Sequence, residues 1–439
     1  MKETLKRLIQ EFQENELPQL VQRDLSLDLK VPKTITLIGP RRSGKTFLFY
    51  QLMKSLIAQG IPKERIMYLN FEDPRLYPFQ GKDIDQVLEA YSELFPEQKG
   101  DKYVFLDEVQ EINGWEHAVR ALSDRPGFRT FLTGSSSKLL STEIATSLRG
   151  RTLSYSLLPF SFSEVLRSKD ISVDRRTPYS NKRHVIKKVL EEYMEFGGYP
   201  EVVLAQSKDT KVRILREYFN TMIVRDLVER FHIRNIPLLK EMTLFLITNM
   251  SNLFSISRYH RSVKDRHDVS KKTIMTFLSY LEDVHLVFPV KMYSTSLRAQ
   301  QANPVKVYSV DVGLRTAIGF YTSEDYGKII ENLVFLELMH RKFTRPRIDI
   351  FYWRGDNTEV DFVLKDGRDI EQLLQVCWSL KDEKTRKREL SGLLEGMEEF
   401  GLKEGLLITG DEEGCEKLGD RIINYVPLWK WLITGTSGP

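Results

Sequence analysis

Only two cysteines, Cys377 and Cys415, occur in 439 residues. They are too few for a disulfide framework and build no zinc-ligand cluster, so a reducing compartment, the cytoplasm, is the expectation. No apolar run approaches the ~18 residues that a membrane helix needs. Charge of one sign is also scarce: 65 basic against 61 acidic residues leave a net +4. Any contact with nucleic acid must then come from local basic faces. There is no low-complexity tract and no repeat at a solenoid period. These absences exclude a secreted mini-protein, a membrane span and a disordered tail. What is present, 41% hydrophobic and 29% charged residues, is the composition of packed cores, and the length suits roughly two to four domains. The opening MKETLKRLIQEFQENELP mixes charges with apolar residues, as an amphipathic helix does and a signal peptide does not. The closing Gly435-Thr-Ser-Gly-Pro439 is set aside from fold reasoning.

From Lys33 onward short β-rich runs alternate with helical stretches. Strands are expected at 34–38, 65–70, 103–106, 129–134 and 152–157, with a helix over 47–58. Such alternation predicts a parallel sheet covered by helices on both faces. Immediately after the first run stands Gly39-Pro40-Arg41-Arg42-Ser43-Gly44-Lys45-Thr46, followed by Phe47. Glycines at these positions let several backbone N–H groups point at a phosphate. Lys45 brings a point charge to the β- and γ-phosphates, Thr46 a hydroxyl for Mg2+, and the following helix its N-terminal dipole. These residues predict an ATP site.

Tyr103-Val-Phe-Leu-Asp107-Glu108 is an apolar strand ending in adjacent carboxylates. Asp107 is the expected Mg2+ partner, and Glu108 the base that polarises water for in-line attack. Thr133 and Ser135, closing the fourth run, are expected to hydrogen-bond the attacking water or the γ-phosphate, or else to cap the next helix. Arg149 and Arg151 follow. Arg151 is the candidate finger for γ-phosphate charge across a subunit interface, against the alternative of a surface ion pair.

At these residues the chain resembles a prokaryotic, largely archaeal, family of AAA+-type ATPases with a carboxy-terminal domain related to restriction-type nucleases. The resemblance rests on the phosphate loop, Leu106-Asp-Glu-Val-Gln110 with Trp115, Thr133-Gly-Ser-Ser-Ser137 and Leu148-Arg-Gly-Arg151. It continues through Leu158-Pro-Phe-Ser-Phe162, Phe196-Gly-Gly-Tyr-Pro200, Glu359-Val-Asp361-Phe362 and Val426-Pro-Leu-Trp-Lys-Trp431. It implies an α/β fold: a five-stranded P-loop core with the phosphate-loop strand central, a helical lid, a winged helix and a nuclease-like α/β domain. The corresponding boundaries are a helix and connector at 1–30, the ATPase core at 31–165, the lid at 166–245, the winged helix at 246–322 and the nuclease-like domain at 323–439. The resemblance also sets Gln110 and Arg151 near the nucleotide and implies a homo-oligomer, a ring being one form.

Between Arg258 and Lys272 there are six Lys/Arg and two Asp. Ser270 reads as the N-cap of a helix whose core face is Ile274, Phe277, Leu278 and Leu281. Lys271 and Lys272 then sit at the helix N-terminus, where a recognition helix meets DNA, with two strands after it as a wing. Arg258, Arg261, Lys264, Lys271 and Lys272 are the DNA-contact candidates; the alternative is a solvated face. Tryptophans of the carboxy-terminal part are expected in the core.

A restriction-type nuclease needs a helix carboxylate, an Asp at a strand end and an acid-x-Lys on the next strand. Glu331 and Asp361 fit the first two positions. Gln375 and Cys377 stand where the acid and the lysine belong, and a neutral amide is a poor Mg2+ ligand. Glu371, the nearest acid, offers a carboxylate in another register but no lysine. The expectation is a nuclease-like fold that cuts little or no DNA.

Together these readings predict a Mg2+-dependent ATP hydrolase coupled to DNA binding or remodelling. Duplex or branched DNA is the partner and no membrane is involved; recombination and repair are suggested by the resemblance alone. A signalling ATPase responsive to a protein partner and an ATP-regulated nuclease are the alternatives.

Overall fold

Five of the apolar runs become strands because each is short, β-rich and followed by a turn or loop. In the computed structural model, residues 1–29, 31–96, 99–134, 150–174, 176–318 and 326–434 are described, and the chain divides into two units, Met1–Leu158 and Pro159–Pro439. The first contains β1 (Thr34–Ile38), β2 (Ile66–Asn70), β3 (Lys102–Asp107), β4 (Phe128–Thr133) and β5 (Thr152–Ser156). All pair in parallel, in the order β2-β3-β4-β1-β5.

The period of two along each strand sorts side chains to two cores. From β3, Val104 and Leu106 face a cluster with Ile84, Val87, Tyr91, Trp115, Val119 and the amino-terminal helix residues Leu5 and Ile9. Phe105, between them, faces the other cluster, with Leu48, Phe49, Leu52 and Leu56 of the helix Lys45–Ala58. There its ring stacks on Phe131 at a centroid separation of 4.4 Å. With both faces covered and every strand parallel, all carboxyl ends open on one edge. That edge is where such sheets bind ligands.

One implied feature is corrected. The phosphate-loop strand β1 is not central: β4 holds the middle, and β1 lies between β4 and the edge strand β5. The chain leaves β1 for the far edge, returns through β3 and β4, and crosses to β5 last.

The second unit is helical at first: Phe162–Ser168, Lys182–Phe196, Pro200–Leu204, Lys208–Thr221, a π-helical segment Met222–Glu229, and Ile236–Thr248. A three-stranded antiparallel sheet follows, β6 (Asn252–Phe254), β7 (Val287–Val290) and β8 (Val305–Ser309), with β8 in the middle. The helices Ile256–Val263 and Lys271–Asp283 lie between β6 and β7 in sequence. Sequence reasoning expected two strands; β6 has only three residues and carries no alternation to detect.

Beyond the helix Tyr326–Thr344 come β9 (Ile348–Arg354), β10 (Glu359–Asp366), β11 (Asp369–Cys377), β12 (Glu404–Thr409), β13 (Gly414–Leu418) and β14 (Arg421–Pro427). They form one sheet in the order β13-β14-β12-β11-β10-β9. It is antiparallel from β9 to β11 and parallel through β11, β12 and β14. Trp429 and Trp431 are buried as expected, but Trp378 is exposed and stacks on Tyr326. The mixed-sign run at 381–389 enters the helix Glu383–Glu399, where Glu389 is buried against the expectation of an exposed run.

The Phe196-Gly-Gly-Tyr-Pro200 segment has a physical reason. Gly197 has φ +74°, and a Cβ there would lie 1.8 Å from Oδ1 of Asp311. The buried Asp311 carboxylate instead accepts the N–H of Gly198 at 2.6 Å and of Gly313 at 2.8 Å. Burial, partly offset by these backbone bonds, pushes Asp311 up to about 7. In the unfolded chain an Asp ionises near 4. Between these values the folded chain holds more protons, so this group's contribution to stability falls as pH rises from about 4 to about 7. Asp311→Asn cannot ionise. Its melting temperature is expected to gain on the wild type between pH 5 and pH 8 in thermal unfolding, and parallel profiles would refute the assignment.

Candidate functional site

The loop after β1 is held from several sides. Gly39 has φ +151°, and a Cβ on it would meet the Leu157 carbonyl oxygen at 2.1 Å, so only glycine lets the chain pass β5. Arg42 and Gly44 take positive φ as well, at 67° and 96°. Arg23 is buried beneath the loop. Its guanidinium donates to the carbonyls of Ser43 at 2.7 Å and Leu158 at 2.6 Å, tying the phosphate loop to the chain leaving β5. Arg41 pairs with Glu72 at 3.3 Å. Pro40 is buried, and Phe47 is exposed on the first helical turn with its ring against Tyr50.

Lys45 is the first residue of the helix Lys45–Ala58 and is almost fully buried. Its ammonium donates to the carbonyls of Gly39 at 3.2 Å and Pro40 at 3.1 Å, which keeps it over the loop. The hydroxyl of Ser43 is buried and has no hydrogen-bond partner among the described residues. A loop with a buried ammonium, an unmatched hydroxyl and a helix N-terminus has the donor set for a phosphate chain.

Parallel register brings the second half of the site to the same edge. Asp107 ends β3, level with Asn70 of β2, and is fully buried. Its Oδ2 accepts from the Thr46 hydroxyl at 2.7 Å and from the Tyr68 hydroxyl at 2.9 Å; its Oδ1 accepts from the Thr133 hydroxyl. Burial pushes the Asp107 carboxyl up, and the hydrogen bonds from Thr133, Thr46 and Tyr68 pull against that. Burial beside Asp107 also drives Tyr68 far above the ordinary phenol range, so it remains a donor.

Glu108 is left-handed, with φ 53° and ψ 48°, an unfavourable conformation for a residue with a Cβ. Two bonds impose it. Its N–H donates to Thr133 Oγ1 at 3.0 Å, and its carboxylate accepts from the Gln110 amide. Thr133, expected to face water or to cap a helix, is instead the joint between Asp107 and Glu108. Gln110 reaches Glu108 itself.

The remaining expected residues lie elsewhere. Ser135 and Arg149 fall outside the described residues. Arg151 precedes β5, and its carbonyl accepts from the N–H of Thr34, the first residue of β1. That is the amino edge of the sheet. A five-residue strand, ~16 Å long, separates it from the phosphate loop of its own chain, and its guanidinium pairs with Asp124 at 3.0 Å.

In the second unit Arg258, Arg261, Lys264, Lys271 and Lys272 are all exposed. The Ser270 hydroxyl accepts from Thr273 N–H at 3.2 Å, the expected cap, with Ile274, Phe277, Leu278 and Leu281 buried. Glu331 and Asp361 are brought together, and Gln375 adjoins them through its carbonyl, which accepts the Asp361 N–H at 3.0 Å. Cys377 donates to the Ser379 carbonyl; burial raises its thiol to about 11. Glu371 does not join them, since it pairs with Arg345 at the surface.

Sequence reasoning did not single out three residues: Arg23, Tyr68 and Lys306. Lys306 is fully buried, and its ammonium sits among Glu331, Glu359 and Asp361. The available signal was a lysine flanked by valines in Val305-Lys-Val307, a charge on the inward phase of a strand. Arg23 and Tyr68 carried no such signal.

Residues 31–166 match the model of the AAA domain family. Residues 187–324 match a domain of unknown function, DUF8612, and residues 326–431 another, DUF4143. Over 423 residues the chain is 35% identical to an uncharacterized protein of Methanocaldococcus jannaschii, with 95% of this chain and 92% of that protein covered. It is 32% identical over 421 residues to an uncharacterized protein of Haemophilus influenzae, with 95% and 97% covered. Among solved structures, the Aeropyrum pernix ORC1 protein in complex with DNA aligns over 72% of this chain and 90% of its own, at 12% identity and a TM-score of 0.28. AMPPCP-bound DnaA from Aquifex aeolicus aligns over 64% and 86%, also at 12% identity and a TM-score of 0.28. Likeness at that level adds nothing to the strand order described above. The chain belongs to the family of the Methanocaldococcus and Haemophilus proteins, an AAA-type ATPase family, and carries its AAA domain at residues 31–166.

Proposed function

We propose that the protein is a Mg2+-dependent ATP hydrolase whose turnover is coupled to DNA. The observation that carries the first half is the oxygen pair of Thr46 and Asp107, 2.7 Å apart, beside a buried lysine and a strained glutamate. Hydroxyl and carboxylate are hard oxygen donors, the kind Mg2+ takes while keeping most of its waters. Bound there, Mg2+ would neutralise charge on the β- and γ-phosphates.

The chain's own residues do the rest. Backbone N–H groups of the loop from Gly39 to Phe47, Pro40 excepted, wrap the phosphates. Lys45 exchanges its two loop carbonyls for phosphate oxygens. Thr46 and Asp107 hold the ion, and Tyr68 and Thr133 hold Asp107. Glu108 takes a proton from the attacking water, and Gln110 fixes the direction its carboxylate faces. Arg151 serves as a finger only toward a neighbouring chain in a homo-oligomer.

The DNA half rests on topology and charge. The reading is supported by the order of elements, a helix, β6, two further helices, then β7 and β8 in an antiparallel sheet of order β6-β8-β7, which is compatible with a winged helix. Its second and third helices carry Arg258, Arg261, Lys271 and Lys272, all exposed, with Lys264 exposed just past the second. On this reading the lid is the helical stretch 166–245, the winged helix spans 246–322, and residues 323–439 are a nuclease-like end without cleavage. Hydrolysis shifts the winged helix on duplex or branched DNA, as recombination or repair requires.

Steady-state ATP hydrolysis tests both halves. Glu108→Gln is expected to lose roughly 100-fold or more in rate while still binding ATP. Unchanged turnover would remove Glu108 from its role. DNA is expected to stimulate the wild type, with one form among single strand, duplex and four-way junction most effective. A flat response to all three would favour a protein-responsive switch. The double substitution Lys271→Ala, Lys272→Ala is expected to lower the slope of log affinity against log salt by about 2. An unchanged slope in a salt titration of DNA binding would take these lysines off the interface.

A further inference from the structure

The resemblance implies a divalent metal at Glu331, Asp361 and position 375, and the side chains do not fit one. Lys306 lies on β8, the central strand of the three-stranded sheet, opposite Leu253 and Val290. Its ammonium lies 2.8 Å from Glu331 Oε1, 2.7 Å from Glu359 Oε1 and 2.6 Å from Asp361 Oδ1. An ammonium has three N–H donors and no acceptor. Two of them bond Glu359 and Asp361, and Glu331 stands at ion-pair distance on the remaining side.

Other oxygens of Glu331 and Asp361 are engaged as well. Glu331 Oε1 also accepts from the Tyr308 hydroxyl at 3.0 Å, and its Oε2 lies 3.3 Å from Lys328 Nζ. Asp361 Oδ2 accepts the Val376 N–H at 2.9 Å. The Gln375 carbonyl accepts the Asp361 N–H, and its amide donates to Glu389, which pairs with Arg388. Among the described residues, no group of three or more His, Cys, Asp or Glu side chains is arranged to hold a metal ion.

We propose that Lys306 is the permanent cation of this cluster: its ammonium, bound by Glu331, Glu359 and Asp361, stands where a divalent metal would, so the carboxy-terminal sheet is built without metal and cuts no phosphodiester bond. The chemistry is a swap of one cation for another. A divalent ion among the same oxygens would meet a positive charge within 3 Å of every ligand. The lysine comes from the three-stranded sheet, and its partners come from the helix Tyr326–Thr344 and from β10, so the swap also ties these three elements through one buried charge. The inference needs only these four side chains and stands apart from the reading of the nucleotide site.

The test uses the full chain, without nucleotide, melted in EDTA and in millimolar Mn2+. The wild type is expected to melt within about 1 °C in both. Lys306→Ser leaves three clustered carboxylates, two buried and Glu359 half-buried, and room for a hydrated ion. It is expected to melt on the order of 10 °C lower in EDTA, as loss of one partner of a buried charge cluster implies, and to recover in Mn2+. Lys306→Met fills the space without charge and is expected to fall equally far with no recovery. A Lys306→Ser that melts like the wild type in EDTA, or that Mn2+ fails to restore, overturns the proposal. Should that variant not fold, bound Mn2+ is counted by electron paramagnetic resonance in the wild type and in Asp361→Asn. Equal counts support the proposal, and an additional ion in the wild type overturns it.

Discussion

The amino-terminal unit depends on one buried carboxylate. Asp107 sits at the end of β3 with no exposed surface, and an ionised carboxylate in such a place costs several kcal/mol unless donors meet it. Three hydroxyls do: Thr46 after the phosphate loop, Tyr68 on β2 and Thr133 at the end of β4. A hydrogen bond to a charged group contributes about 1.5–3 kcal/mol, so three offset much of that cost, though burial still leaves the carboxyl raised. The same requirement fixes geometry. The loop, the strand on one side of β3 and the strand on the other must arrive together, or the carboxylate is stranded. Folding of the sheet and assembly of the nucleotide site are therefore one event, with Glu108 held in its strained conformation by the Thr133 hydroxyl that already serves Asp107.

This explains what could be read in advance. Gly39 to Thr46 announce themselves because the spacing is rigid, and Asp107 and Glu108, a common strand end when alone, become legible beside that loop. Thr133 was visible as a polar end to a strand, but its role was not. Whether a threonine faces water, a helix or a neighbouring strand is decided by the register between β3 and β4, which no local pattern carries. The same limit hid Arg23. A lone arginine in a connector gives no hint that it will lie beneath Ser43 and Leu158, because Leu158 is far along the chain. The strand runs were legible from composition alone, whereas the strand order depends on crossovers, and so β4 rather than β1 took the middle.

The position of Arg151 shows how topology constrains chemistry. In a parallel sheet every residue that precedes a strand lies on the amino edge, and every residue that follows one lies on the carboxyl edge. Arg151 precedes β5 and Gly39 follows β1, so the two are on opposite edges of neighbouring strands. Sequence proximity to the motif after β4 was misleading, because Thr133 ends β4 at the carboxyl edge while Arg151 stands before β5 at the amino edge. A finger role then demands a second chain, while the pair with Asp124 needs none.

The two units hold their buried charge differently. Around Asp107 the partners are neutral hydroxyls, and the oxygens of Thr46 and Asp107 remain able to turn toward an ion. Around Asp361 the partner is a lysine on a strand, and the ion is already covalently part of the chain. A mobile cation can bind, exchange and report the state of a nucleotide; a tethered one cannot leave. The first arrangement suits a site that cycles, the second a site that is permanent. Replacing the acid and the lysine of a cutting strand by Gln375 and Cys377 removes the reason to keep metal, but it does not remove the charge of Glu331 and Asp361. A chain that retained those two acids still had to neutralise them, and Lys306 on the inward phase of β8 does so from the neighbouring sheet. The same ammonium therefore joins the three-stranded sheet to the carboxy-terminal sheet through Asp361 and Glu359.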